Sequence, residues 1–112
     1  MRAEFLEQLF KIAEIDDRLV FMTADLGFGV VEKFAERFPD RFINVGVAEQ
    51  AMIASATGLA EAGMIPYCYS IATFTSLRAL EFTRTGPIAH GLPVKVVGVG
   101  AGMDYGFDGL TH

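Results

Sequence analysis

Residues 41–63 read RFINVGVAEQAMIASATGLAEAG, and the fold turns on how this stretch divides. Phe42-Ile43-Asn44-Val45 is short, apolar and strand-forming, and Gly46 breaks it. From Ala48 to Ala62 most positions hold Ala, Met, Ile or Leu, all good helix formers. Gly63 stands where a helix commonly ends in the left-handed conformation. Such a helix has almost no polar face, so it is expected to lie buried, between a sheet and another layer or another subunit. Gly58 inside it costs about 1 kcal/mol against alanine, which predicts close packing against another backbone.

At the head of that helix stands Glu49, and its carboxylate has two readings. As a first-turn acid it offsets the partial positive charge there and accepts a backbone hydrogen bond. Alternatively, apolar surroundings disfavour its charged form and fit it for proton exchange with a bound heterocycle. Spacing alone leaves both open.

Working outward, the first segment is an amphipathic helix between Arg2 and Glu14. Phe5, Leu6, Leu9, Phe10 and Ala13 share one face, and Glu7 and Lys11 can pair on the other. Leu19-Val20-Phe21-Met22 has the character of a strand buried on both faces. It runs into Asp25-Leu26-Gly27-Phe28-Gly29, where two glycines permit tight turns but lack the third glycine of a dinucleotide fingerprint. Val30, Val31, Phe34, Ala35 and Phe38 follow helical spacing until Pro39-Asp40. After Gly63, Ile65 to Tyr69 reads as a third strand. Leu77, Leu80, Glu81 and Arg84 belong to a helix closed by Thr85-Gly86-Pro87, and Val94 to Val99 is a β-branched fourth strand. Helices and strands that alternate in this way predict a three-layer α/β domain with a mostly parallel sheet. Ligands on such sheets sit beyond the carboxyl ends of the strands, which places Gly27, Gly46, Ser70 and Gly100 near any site.

Bulk properties narrow the function. The 112 residues suit one small domain, and an apolar content of 52% supplies a core. A net charge of −5 without any Lys/Arg cluster argues against nucleic acid or an anionic membrane as partner. No run is long and apolar enough to span a bilayer, and the N-terminus lacks the pattern of a secretory signal, so a soluble cytoplasmic protein is expected. Cys68, the single cysteine, lies in an apolar run and reads as a reduced core thiol.

Three runs in order, FPDRFINVGVAEQAMIASATGLAEAG, YSIATFTSLRALEFTR and the closing GFDGLTH, resemble the pyrimidine-binding domain of thiamine-diphosphate enzymes of the transketolase and deoxyxylulose-phosphate synthase group. The nearest likeness is to the separate C-terminal section of two-part transketolases. The resemblance implies a thiamine-diphosphate-binding fold over residues 1–112. Because GVGAGMDYGFDGLTH reads as a loop and stops where the group continues with helix and strand, the domain is expected to be C-terminally incomplete, with an open sheet edge.

The resemblance also implies roles. Glu49 matches the glutamate that bonds the cofactor's pyrimidine nitrogen and favours the imino tautomer, the cofactor supplying the electron sink. Phe74 matches the aromatic that stacks on the pyrimidine, although by its residue type alone it is a core side chain. Gly46, opening the turn before Glu49, joins these two as a cofactor contact. His112 matches the histidine of the terminal G-x-T-H, which faces substrate and shuttles protons. Tyr105 and Asp108 could line the same loop, though packing and turn formation account for both, and His90 reads as a solvated loop residue. The synthases usually carry an arginine where this chain has Leu77, which argues against deoxyxylulose-phosphate synthesis. Arg78, one place along, is expected to point elsewhere on its helix.

Neither Asp25-Leu26-Gly27 nor Phe107-Asp108-Gly109 is the Gly-Asp-Gly motif that holds magnesium and the diphosphate, so no metal ligand is assigned and Mg2+ falls to a partner domain. The function implied is the pyrimidine-binding part of a transketolase-like transferase. It would move a two-carbon ketol unit between sugar phosphates, in an oligomer with a diphosphate-binding subunit, and would be inactive as this chain alone. Two other readings stand beside it: a non-catalytic assembly module that docks a partner, and the β subunit of a 2-oxoacid dehydrogenase.

Overall fold

A computed structural model describes residues 2–112. Four strands, β1 (Leu19–Thr23), β2 (Phe42–Asn44), β3 (Ile65–Ile71) and β4 (Lys95–Val99), form one sheet in the order β2-β1-β3-β4. All three pairings are parallel, with Phe21 opposite Phe42 and Tyr67, and Tyr69 opposite Val97. The expected mostly parallel sheet is thus parallel throughout. β1 is buried at every position, as its unbroken apolar run requires for a strand covered on both faces. β4, the most β-branched run, lies at an edge, with Val96 exposed and Val97 and Val99 partly buried.

Two cores follow from the alternation of side chains across the sheet. On one face α1 (Arg2–Ile15) and α2 (Glu32–Arg37) bring Leu6, Leu9, Phe34 and Phe38 onto Leu19, Phe21 and Tyr69. Glu7 and Lys11 pair on the outer side of α1 at 2.9 Å, as their spacing predicts. On the other face α3 (Glu49–Glu61) lays Met52, Ile53 and Ala56 against Val20, Met22 and Cys68. The chain turns from β1 to β2 over the first face, then from β2 to β3 and from β3 to β4 over the second. Right-handed crossovers that run in opposite directions along a sheet must lie on opposite faces. The three layers are therefore a consequence of strand order.

Two helical readings are corrected. α3 is buried on one face only, and Ala51, Ala54, Ser55 and Gly58 are exposed. The helix is apolar by composition, but its outer face carries side chains too small to demand cover. Gly58 has open space around it, so it does not mark a close approach. That role belongs to Gly86, where a Cβ would stand 2.7 Å from Thr57 Oγ1 on α3.

The second correction concerns residues 72–88. Thr85-Gly86-Pro87 does not close the helix. A π-helical turn (Phe74–Arg78) leads into α4 (Leu80–Thr83), and a second π turn (Arg84–Ile88) carries Pro87 buried within it. The wider turn, with Ala89 N–H donating to Arg84 C=O at 3.1 Å, takes up a residue that can donate no hydrogen bond of its own. Beyond β4 the chain is turns, ending in a short 3-10 segment (Gly106–Thr111) kinked at Gly109. Among the described residues no helix is long and apolar enough to cross a membrane.

Candidate functional site

The loops after all four strands gather at one end of the sheet, and the predicted residues lie there. Asn44, the last residue of β2, ties two of these loops together. Its Oδ1 accepts the backbone N–H groups of Asp25 (2.9 Å) and Gly46 (3.0 Å), and its Nδ2 donates to Asp25 Oδ1 (3.2 Å). Gly46 holds φ +74°, a conformation that glycine adopts without strain, and this turn aims the start of α3 at the end of β3.

Glu49 is 1% exposed, yet its setting is not apolar. Ser70 Oγ, at the carboxyl end of β3, donates to Glu49 Oε1 at 2.9 Å. Arg78 Nη1 donates to Oε2 at 2.9 Å, an ion pair whose arginine is 38% exposed. The carboxylate thus turns across to β3 and the π turn, and α3 begins at Ala48 without a side-chain cap. The sequence placed this acid at the head of a buried helix, but neither reading described its partners, a hydroxyl inside and a guanidinium outside.

Arg78 does not point away from the site. Its guanidinium carbon lies 3.9 Å from the centroid of the Phe74 ring while it bonds Glu49. In a regular helix, residues four apart already share a face, and the π turn (Phe74–Arg78) widens the path so that the arginine reaches Glu49 as well. Thr75 Oγ1 donates to Ile71 C=O at 3.1 Å and anchors the turn beneath. Gly98 of β4 lets it come close, since a Cβ there would meet Ala72 Cα at 2.8 Å.

His112 joins the group through its ring, 5.1 Å from that of Phe74, and through its carbonyl, which accepts from Thr73 Oγ1 at 2.7 Å. Tyr105 packs against Gly100 and lies 5.7 Å from His112, whereas Asp108 is exposed and its carbonyl accepts from Thr111. His90 is exposed in a turn. Exposed apolar side chains rim the same end: Phe28, Val47, Leu77, Phe107 and Leu110, one or more from each strand's loop.

A cavity of about 510 Å³ lies on the opposite face of the sheet, between Phe5, Tyr69, Val97 and Asp104; Gly100 lines it, but Gly46, Glu49, Phe74 and His112 do not. Among the described residues no three His, Cys, Asp or Glu side chains form a group that could hold a metal ion. Burial pushes the Cys68 thiol up to about 12, in keeping with an inert core residue.

A buried acid and a stacking aromatic at the carboxyl ends of a parallel sheet define an α/β domain suited to a flat, hydrogen-bonding ligand. The chain belongs to the family described as "Transketolase, pyrimidine binding domain", whose profile matches residues 1–112. It is 42% identical to a putative transketolase C-terminal section of Methanocaldococcus jannaschii, over 100% of this chain and 36% of that protein. It is 38% identical to a 6-deoxy-6-sulfo-D-fructose transketolase subunit of Clostridium sp. strain MSTE9, over 100% of this chain and 35% of the relative. A 1-deoxy-D-xylulose-5-phosphate synthase of Clostridium perfringens is 38% identical over 96% of this chain and 17% of its own length. A solved structure titled "Split gene transketolase, inactive beta4 tetramer" superposes with a TM-score of 0.77 at 33% identity, over 84% of this chain and 32% of that one. The chain therefore spans about a third of the length of the transketolase-section relatives it matches.

Proposed function

We propose that this chain supplies the pyrimidine-binding half of a thiamine-diphosphate site in a split transketolase. The enzyme would transfer a two-carbon ketol unit between sugar phosphates in the cytoplasm. One observation carries the reading: the outward oxygen of buried Glu49 already receives a planar N–H donor that is stacked on Phe74. An aminopyrimidine offers the same two features, a flat face and ring-edge hydrogen bonds, so the residues present fit that group.

In this reading Glu49 Oε2 holds the proton shared with the pyrimidine edge, and Ser70 fixes the carboxylate from within. Phe74 gives the ring a face, worth roughly 1 kcal/mol beyond area burial. Gly46 and Asn44 set where α3 begins. His112, whose ring lies 5.1 Å from that of Phe74, would give or take a proton on the substrate side. Bound cofactor supplies the electron sink for moving the ketol unit. Magnesium and the diphosphate fall to a partner domain, and the apolar rim supports a partner covering this end of the sheet.

The test is capture of the partner from the source extract by this chain, with and without thiamine diphosphate and Mg2+, followed by a ketol-transfer assay of the recovered complex. The expected result is a cofactor-dependent partner bearing a Gly-Asp-Gly motif and activity in the complex but not in this chain alone. A partner indifferent to the cofactor, in a complex without activity, would move the assignment to a non-catalytic assembly module.

A further inference from the structure

Arg78 makes both of the contacts that the proposed site offers a pyrimidine. Its guanidinium carbon is 3.9 Å above the Phe74 ring, which is contact distance for two stacked planes, and its Nη1 is 2.9 Å from Glu49 Oε2. Two planar groups cannot share one face of a ring. The inner oxygen of Glu49 is engaged by Ser70 and its side chain is 1% exposed, so a ligand has only the approach that Arg78 fills. We propose that Arg78 is a placeholder, seated on Phe74 and Glu49 in the pyrimidine's stead and displaced into solvent when the pyrimidine arrives.

This inference rests on the reading that the pyrimidine binds at Glu49 and Phe74, and adds a gating residue to it. The exchange is chemically matched. A carboxylate as buried as Glu49 is strongly disfavoured without a donor, and in the swap one flat N–H donor replaces another, so it is never left unpaired. The departing charge reaches water readily, because Arg78 is already 38% exposed and its neighbours Ser76 and Leu77 face outward. Phe74 and Arg78 lie at the two ends of one π turn, so a change in that turn alters stacking and ion pair together. Apparent affinity is then reduced to the fraction of chains in which the arginine stands open. If about nine chains in ten are closed, removing the side chain tightens binding about tenfold, or about 1.4 kcal/mol.

The experiment titrates 4-amino-5-hydroxymethyl-2-methylpyrimidine, the pyrimidine half of the cofactor, into the full chain and into Arg78→Ala, followed by NMR. The expected result is binding about tenfold or more tighter in Arg78→Ala, with Phe74 ring signals shifting in both proteins. In the unmodified chain, the Arg78 Nε–H signal should move to the position of a solvent-exposed arginine as the probe saturates. Equal or weaker binding by Arg78→Ala, with Phe74 still responding, would overturn the placeholder and make Arg78 a ligand contact. If Arg78→Ala does not fold, the unmodified chain decides alone: an Arg78 signal unmoved at saturation overturns the proposal. If Phe74 responds in neither protein, the pyrimidine reading itself fails, a result separate from the other two.

Discussion

The ion pair between Glu49 and Arg78 is lopsided, and the two ends should respond differently to mutation. Glu49 is 1% exposed and Arg78 is 38% exposed. Replacing Arg78 with Met strands a buried carboxylate whose one remaining partner is Ser70 Oγ at 2.9 Å. Breaking a fully buried pair from one side costs 3–5 kcal/mol, and the partial exposure here places Arg78→Met at the lower end, about 3 kcal/mol. Replacing Glu49 with Gln keeps the shape and an acceptor for Ser70, while Arg78 turns to water, so the loss is about 1 kcal/mol, the usual net value of one hydrogen bond. The double variant removes both charges and should lose about 2 kcal/mol, less than the sum of the singles by about 2 kcal/mol of coupling. Urea unfolding of the four proteins reads this directly, as shifts in midpoint at constant slope. An Arg78→Met loss no larger than that of Glu49→Gln, or simple additivity, would refute the claim that the carboxylate is the buried and dependent partner.

Three further outcomes follow from the packing. Gly86→Ala should destabilise the chain by about 1–3 kcal/mol through overpacking on Thr57, and Thr57→Ala in the same chain should recover most of it, measured by thermal unfolding. Asn44→Ala removes the acceptor for two loop N–H groups, at about 1 kcal/mol, and should speed amide hydrogen exchange at Asp25 and Gly46 while the β1 core is unchanged. Burial pushes the Cys68 thiol from 9.0 to about 12, so the unfolded chain releases that proton first. Stability should therefore be flat in this respect below about pH 9 and fall as pH rises towards 12, a slope that Cys68→Ala should lack in urea titrations.

Much of this architecture was legible in the sequence because its signals are local. The uninterrupted run Leu19 to Met22 specified a strand covered on both faces, and spacing placed Leu6, Leu9 and Ala13 inward on α1. Gly63, at φ +92°, ended α3 as expected. Glu49 was conspicuous as an acid heading an apolar helix, and its burial bears that out. The rest depended on geometry that periodicity does not carry. A period of 3.6 residues puts Arg78 on a face but cannot show a widened turn, so its reach to Glu49 stayed hidden. The same blindness stopped the helix at Gly86-Pro87, two residues that end an α-helix but not a π turn. Ser70 was placed near the site by its position, but its partner went unread: it is the polar residue in the apolar strand IPYCYSI, and a buried hydroxyl needs a partner. α3 misled in the opposite direction, because alanine and glycine count as apolar in a pattern while covering little surface.

The central claim is that Glu49 works on a bound pyrimidine and is not merely a structural acid. The most direct measurement is ketol transfer by Glu49→Gln after assembly with the diphosphate-binding partner, thiamine diphosphate and Mg2+, with assembly followed by size-exclusion chromatography. The account predicts a normally assembled complex whose turnover falls by about 100-fold or more, the range lost with an acid/base group. A normally assembled Glu49→Gln complex with full activity would contradict it.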